Sequence, residues 1–363
     1  MKKILIGYLI GSGKCGIDTY LFHFVDALKN KGYQFDFLTN EINDTLLEYS
    51  RQTNSGLYEI PSLKNPLGQY KCIKSILENG KYDVAYFNIS EAFHTIGAIA
   101  AKSVGIEKII IHSHAAGVDG HSAMKKMIRT CLHNIFKNYI IGKCATDFYA
   151  SSQLAAEWMF CKKDIDEKGV KMIYNAIDIN RYEYDLEIRN RIRSELGLEN
   201  DFVIGQVSGF TPVKNISFLV DVFCEVKKHE SNAKLLLVGE GIDSELVKEK
   251  VKALDLMKDV VFTGVRQDVN DLMQAMDVFV FPSLFEGLGI VAIEAQLSGM
   301  KVYVSDRLPK EVKLSDKCQF ISLEKSAEEW ANIILEDQFY DRECNDFSEQ
   351  IKCFDIKQQN LEV

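Results

Sequence analysis

"FPSLFEGLGIVAIEAQ", residues 281–296, passes from a strand-like apolar start through Glu286 and a glycine-punctuated turn into a helix-like apolar stretch that carries Glu294. Strand, tight turn and helix in that order make up most of a βαβ unit, the repeating piece of an open parallel sheet. Gly287, Leu288, Gly289 and Ile290 then offer backbone N–H groups at a helix N-terminus, where an anion is favoured. Glu286 falls at the strand end, the edge where such sheets bind ligands. Glu294 falls about two turns further on, within reach of hydroxyls of a bound molecule. A solvated helix face is the simpler place for an acid, but "IVAIEAQL" is apolar on both sides of it, and burying an unpartnered carboxylate is costly.

The same rhythm extends in both directions. "KKILIGYLI", "YQFDFLT", "YDVAYFN", "EKIIIHSH" and "DFYAS" read as strands separated by helical patterns in the first half, and "FVIGQVSG", "AKLLLVGEG", "DVVFTG", "DVFVFPS" and "KVYVSD" repeat the alternation in the second. The texture changes near "VKMIYNAIDINRYEYD". The chain of 363 residues therefore reads as α/β, with two doubly wound, Rossmann-like domains at 1–178 and 179–339. A helical pattern over about 340–363 completes it.

Composition excludes several classes. The nine cysteines are odd in number, scattered and without a C-x-x-C pair, which fits neither a disulfide framework nor a zinc site. No metal is expected. The lysine-bearing start of the chain reads as a first buried strand rather than a signal peptide, and no apolar run approaches the ~18 residues of a spanning helix. A cytoplasmic protein is the expectation. Charge is uneven: residues 1–178 carry 21 basic and 18 acidic side chains, residues 179–363 carry 22 and 34. That asymmetry suggests domains with different partners, and no arginine-rich or basic-aromatic stripe points to nucleic acid.

Three further motifs bear on chemistry. Gly11, Gly13 and Gly16 spell G-x-G-x-x-G between a strand and a helix, the dinucleotide fingerprint, so an NAD(P)- or flavin-dependent oxidoreductase is one alternative. The acid that should end the second strand is displaced to Glu41, and the P-loop pattern fails at Tyr8 and Cys15. His112 and His114 end a strand in "IIIHSHAAG" and point the same way, as polar groups lining a cleft or as satisfied structural histidines. Lys214, in "VSGFTPVKN", falls in or beside the first turn of a helix, where a cation opposes the dipole unless an anion is bound.

Taken together, the E-x7-E stretch, "VSGFTPVKN", "VGEG", "FTGVRQDV" and "GKCGIDT" resemble the retaining glycosyltransferases of glycosyltransferase family 4, nearest to bacterial enzymes of capsular and exopolysaccharide synthesis. The resemblance implies a GT-B fold, with two Rossmann-like domains facing a central cleft and a final helix crossing back to the first. It implies a nucleotide-sugar donor, a UDP-sugar foremost, a glycan or lipid-linked glycan acceptor, and no cofactor. Carried over by position, Glu286 would bind donor-sugar hydroxyls and Glu294 the ribose. The amides of Gly287 to Ile290 would hold the pyrophosphate, and Lys214 would neutralise the leaving diphosphate. Val265 and Arg266 would meet the base, and Gly16 would admit the phosphates. His114 would be the cleft histidine, with His112 as the alternative.

This sequence departs from the family at Gly209, where an arginine usually completes a two-cation clamp with the lysine. The loss removes a charge-assisted partner worth roughly 1.5–3 kcal/mol, so a weakened sugar-nucleotide-binding protein of the same fold is a second alternative, and Arg266 is a candidate substitute cation. Further departures are Cys15-Gly16 in the N-terminal loop and Ala176 in the turn before Asp178. Residues 121–145 hold five basic side chains and no acid. Lys125, Lys126 and Arg129 there, with Met124, Met127 and Ile128, form a segment suited to a peripheral membrane contact or to an ordinary half-buried helix.

Overall fold

The computed structural model of the chain describes residues 2–9, 16–29, 31–336, 340–343, 347 and 349–358. It divides into two compact units. One is built from residues up to Val118, from Ser122–Ile177 and from Cys353 onward; the other comprises Asp119–His121 and Asp178–Lys352.

The first unit contains β1 (Lys2–Leu9), β2 (Tyr33–Thr39), β3 (Gly56–Glu59), β4 (Val84–Ile89), β5 (Lys108–Ser113), β6 (Asp147–Ala150) and β7 (Lys171–Met172). They form one sheet in the order β3-β2-β1-β4-β5-β6-β7, parallel at every pairing. Alternate residues of a strand face opposite ways, so each strand feeds two cores. Ile4, Ile6 and Ile110 join Tyr20, Phe24 and Phe37 on one face. Leu5, Ile109 and Ile111 join Phe87, Ile73 and Phe148 on the other. Burial on both faces explains why these strands read as continuous apolar runs.

The second unit repeats the plan with β8 (Phe202–Val207), β9 (Ala233–Val238), β10 (Val260–Gly264), β11 (Val278–Phe281), β12 (Lys301–Ser305) and β13 (Cys318–Ile321). Their order is β10-β9-β8-β11-β12-β13, again all parallel. In each sheet the strand order reverses once, between β1 and β4 and between β8 and β11. The crevice beyond the carboxyl ends of those paired strands is where open α/β sheets bind ligands.

The structure differs from the sequence reading at the edges. β3, β7 and β13 were not expected; they are edge strands of four, two and four residues, too short and too half-exposed to carry an apolar pattern. The helix expected over about 340–363 does not form among the described residues. They hold one 3-10 turn, Glu349–Cys353, followed by an isolated parallel bridge between Ile177 and Asp355. The Asp355 carboxylate accepts from the Lys357 amide at 3.0 Å and the Gln358 side chain at 2.8 Å, a local turn that competes with helix formation. Phe354 is fully buried beside Tyr174, with ring centroids 4.9 Å apart.

Candidate active site

The loops that follow β8 and β11 are stitched together at the reversal of the second sheet. The amide of Leu284 donates to the Val213 carbonyl at 2.8 Å, and the Asn215 side chain donates to the Pro282 carbonyl at 3.2 Å. Lys214 closes a short 3-10 turn, Pro212–Lys214. Asn215 then takes a left-handed conformation, φ 53°, before the helix Ile216–His229 begins. Lys214 thus stands beside the first turn of that helix, just outside it. An asparagine tolerates positive φ, and it turns the lysine away from the helix axis.

Lys214 Nζ lies 2.6 Å from Glu286 Oε1, with the two side chains 24% and 12% exposed, and 5.1 Å from the centre of the Phe281 ring. Cation and acid, picked from separate motifs, satisfy one another. Glu286 sits in the loop beyond β11. The chain then passes Gly287 and Leu288 to Gly289, whose φ of 83° places it in the left-handed region at the N-cap of the helix Ile290–Leu297. A side chain at Gly289 would carry backbone strain, and its Cβ would stand 3.3 Å from Leu308 Cδ2. The Ala292 amide donates to the Gly289 carbonyl at 2.9 Å, while the amides before it have no intrahelical acceptor, so a cation and a helix N-terminus stand on the same pair of loops.

Glu294 lies just over one turn inside this helix rather than two. It accepts from the Tyr182 hydroxyl at 2.8 Å. Burial pushes its carboxyl up to about 7, against the opposing pull of Tyr182 and Arg181. Tyr182, in the 3-10 turn Ile179–Tyr182, is a site residue that the sequence reading missed. Its only signal was the aperiodic polar-aromatic run "NRYEYD", which periodicity does not interpret.

The loop after β10 carries Val265 and Arg266. Arg266 grips Asp268 with two nitrogens, at 2.7 and 2.5 Å, and holds that carboxyl below its ordinary range. As a substitute for the missing clamp arginine it is already engaged two residues away. At Gly209 a Cβ would meet nothing nearer than the Glu240 carbonyl at 3.7 Å, so the backbone there does not itself require glycine.

In the first unit, His112 is fully buried and so does not line a cleft. Its Nδ1 is 2.7 Å from the Tyr86 hydroxyl, which is 3.0 Å from that of Tyr20. Burial, then the neighbouring His114, holds it neutral. His114 is only partly buried by exposure, and its ring lies 3.9 Å from that of His112. The Asn88 amide nitrogen donates to the Gly7 carbonyl at 3.2 Å, leaving Asn88 Oδ1 to accept from His114 Nε2 at 2.9 Å. The Asn175 side chain is a second hydrogen-bonding partner of this ring and opposes the effect of burial on it. Burial pushes the His114 pKa down to about 3, so a neutral imidazole is what the site offers.

Gly16 opens the helix Gly16–Leu28; Gly11 and Gly13 lie outside the described residues. The dinucleotide reading lacks its acid. Asp36 of β2 is buried and consumed by the Gly56 amide at 2.6 Å, the Tyr82 hydroxyl at 2.6 Å and Lys3 at 2.9 Å. Lys125, Lys126 and Arg129 lie on the helix Ala123–Tyr139. The Arg129 guanidinium clamps the buried Glu91, while its side chain stays 41% exposed. Among the described residues, no group of three or more His, Cys, Asp or Glu could hold a metal ion, and no helix is long and apolar enough to cross a membrane.

Two parallel, doubly wound units, with a lysine, a glutamate and a helix N-terminus at the strand reversal of the second, define a GT-B glycosyltransferase. Two family models match, one described as Glycosyl transferases group 1 over residues 201–336 and one as Glycosyltransferase Family 4 over 15–181, and the chain belongs to this family of glycosyltransferases. A protein of Bacillus subtilis (strain 168) carrying the glycosyltransferase name EpsF is 27% identical over 316 residues, 86% of this chain and 81% of that one. The UDP-Gal:alpha-D-GlcNAc-diphosphoundecaprenol alpha-1,3-galactosyltransferase of Escherichia coli is 24% identical over 307 residues, 80% of this chain and 76% of that one. In fold, the structure of Anabaena HepE in complex with UDP and glucose matches with a TM-score of 0.77 at 20% identity, covering 98% of this chain and 96% of that one.

Proposed function

We propose that this glycosyltransferase is retaining and independent of metal, and that it moves a sugar from a UDP-sugar to a glycan or lipid-linked glycan acceptor in surface polysaccharide synthesis. The observation that carries the reading is the Lys214–Glu286 pair, 2.6 Å apart, beside the glycine-capped helix N-terminus. The E. coli relative, whose name holds both a UDP-sugar and a lipid diphosphate, and HepE, solved with UDP and glucose, support the choice of donor and acceptor.

In this reading the diphosphate departs with the electron pair of the anomeric C–O bond, and Lys214 and the amides of Gly287 to Ile290 meet its growing charge. Preorganised donors of this kind stabilise the leaving group without a metal. The acceptor oxygen forms the new bond on the same face, and its proton passes to the departing phosphate oxygen. Glu286 leaves Lys214 to hold the sugar hydroxyls, Glu294 holds the ribose, and Val265 with Arg266 borders the base. Neutral His114 offers its ring to a sugar hydroxyl. The enzyme would work on the cytoplasmic side, peripheral at the membrane through residues 121–145.

UDP is expected to raise the melting temperature, and Lys214→Ala to remove most of that rise. A panel of nucleotide sugars assayed by nucleoside diphosphate release, with and without EDTA, identifies the donor. No shift with any nucleotide would overturn the reading. Gly209 favours a second one, a binding protein of the same fold with weakened turnover. Turnover with any member of the panel dismisses it.

A further inference from the structure

The Glu294 carboxylate is only half occupied. Its Oε1 accepts from the Tyr182 hydroxyl at 2.8 Å, while Oε2 has no hydrogen-bond partner among the described residues and is not sealed from solvent. A carboxylate accepts and does not donate, so the open oxygen suits a hydroxyl. Tyr182 is half occupied in the same way. Burial, then the charge of Glu294, holds its phenol far above the usual range, so the proton stays on the phenol oxygen and is committed to Glu294. The lone pairs of that oxygen remain able to accept. Two acceptors from different elements are thus joined by one hydrogen bond, an arrangement that matches the two adjacent donors of a vicinal diol.

The position of Tyr182 is built. Gln274, 2% exposed, belongs to the helix Val269–Ala275, which follows the loop of Val265 and Arg266. Its side chain donates to the Glu183 carbonyl at 3.1 Å and accepts from the Asp185 amide at 3.2 Å, fixing the backbone just after Tyr182. A ring that served packing alone would need no hydroxyl here, since phenylalanine fills the same space without a polar group to bury. The helix of Glu294 packs against β11, β12 and the 3-10 turns Ile179–Tyr182 and Lys310–Val312. Besides Tyr182 those elements carry Arg181, Lys301, Tyr303, Lys310 and Glu311. Of these, Arg181 is the one whose charge reaches the carboxyl.

We infer that Glu294 and Tyr182 together read the two hydroxyls of the donor's ribose, Glu294 Oε2 accepting from one and the Tyr182 oxygen from the other. The inference rests on the proposed function, in which Glu294 holds the ribose, and makes Tyr182 the residue that positions the carboxylate and selects ribose over deoxyribose. Tyr182→Phe tests it, because the ring stays and only the hydroxyl goes; an unchanged melting temperature checks the fold. Calorimetric titration compares UDP with 2′-deoxy-UDP and 3′-deoxy-UDP. In the wild type each analogue should bind about tenfold more weakly than UDP, since one acceptor is left unpaired. In the variant the penalty for one analogue should fall below about threefold while the other, read by Glu294, persists. A second readout needs no nucleotide. The Glu294 carboxyl followed by carbon NMR should titrate in the variant above the wild-type value of about 7, because a donor that favours its charged form has been removed. A variant that keeps both penalties, a variant that keeps the wild-type midpoint, or a wild type that binds UDP and both analogues equally would each overturn the inference and leave the proposed function standing. A wild type that binds no nucleoside diphosphate would overturn both.

Discussion

Glu294 shows how one side chain couples the site to pH. Its carboxyl is raised from an ordinary value of 4.5 to about 7 by burial. Between those values the folded chain keeps a proton that the unfolded chain has given up. Stability from this group is therefore fully present below pH 4.5 and is lost as pH rises through about 7. Glu294→Gln escapes the loss. Its unfolding free energy relative to wild type should climb between pH 5 and pH 8 by an amount on the order of 1–2 kcal/mol, since the side chain keeps some contact with solvent. Calorimetry at the two pH values measures it, and a constant difference would show that the carboxyl titrates normally. Glu286, Glu294 and Lys214 were all legible in the sequence, because acids and a lysine beside glycine turns are chemically conspicuous. Their partners were not. Tyr182 is separated from Glu294 by 112 positions, and the direct pairing of Lys214 with Glu286 across 72 positions has no sequence pattern at all.

At the scale of the element, the helix Ile290–Leu297 starts where it does because Gly289 adopts a conformation that a side chain resists. Gly289→Ala should cost about 1–2 kcal/mol through the left-handed backbone, with added crowding against Leu308. Urea unfolding reports that cost, and weaker nucleotide binding in the same variant would report the displaced amides. An unchanged midpoint would mean that the turn relaxes without strain. The central strands and the helices beside them were legible, since burial on both faces writes continuous apolar runs. The edge strands and the tail were not. β7 has two residues, and the tail's conformation is decided by what Phe354 and Asp355 touch in the first unit rather than by their own propensity.

For the molecule as a whole, two doubly wound sheets followed from the alternation of patterns, whereas the return of the last segment to the first unit was an expectation of the family resemblance alone and has no local pattern behind it. That unit borrows its last piece from beyond the second: the Phe354 carbonyl accepts from Ile177 and the Ile356 amide donates to Ile177, both at 2.9 Å. Phe354→Ala should destabilise the first unit by about 3–5 kcal/mol through the cavity left beside Tyr174, lowering the first thermal transition. A variant with the wild-type transition would show the tail to be dispensable. The same bridge also sets a timetable for synthesis. Ile177 emerges from the ribosome early, whereas its partner Phe354 follows only after the whole second unit has been made, roughly 9–35 s later at 5–20 residues per second. During that interval the nascent first unit exposes the surface around Tyr174 that Phe354 will cover. Translation speed through the second unit, and not only the sequence of the first, governs how long that vulnerable intermediate persists.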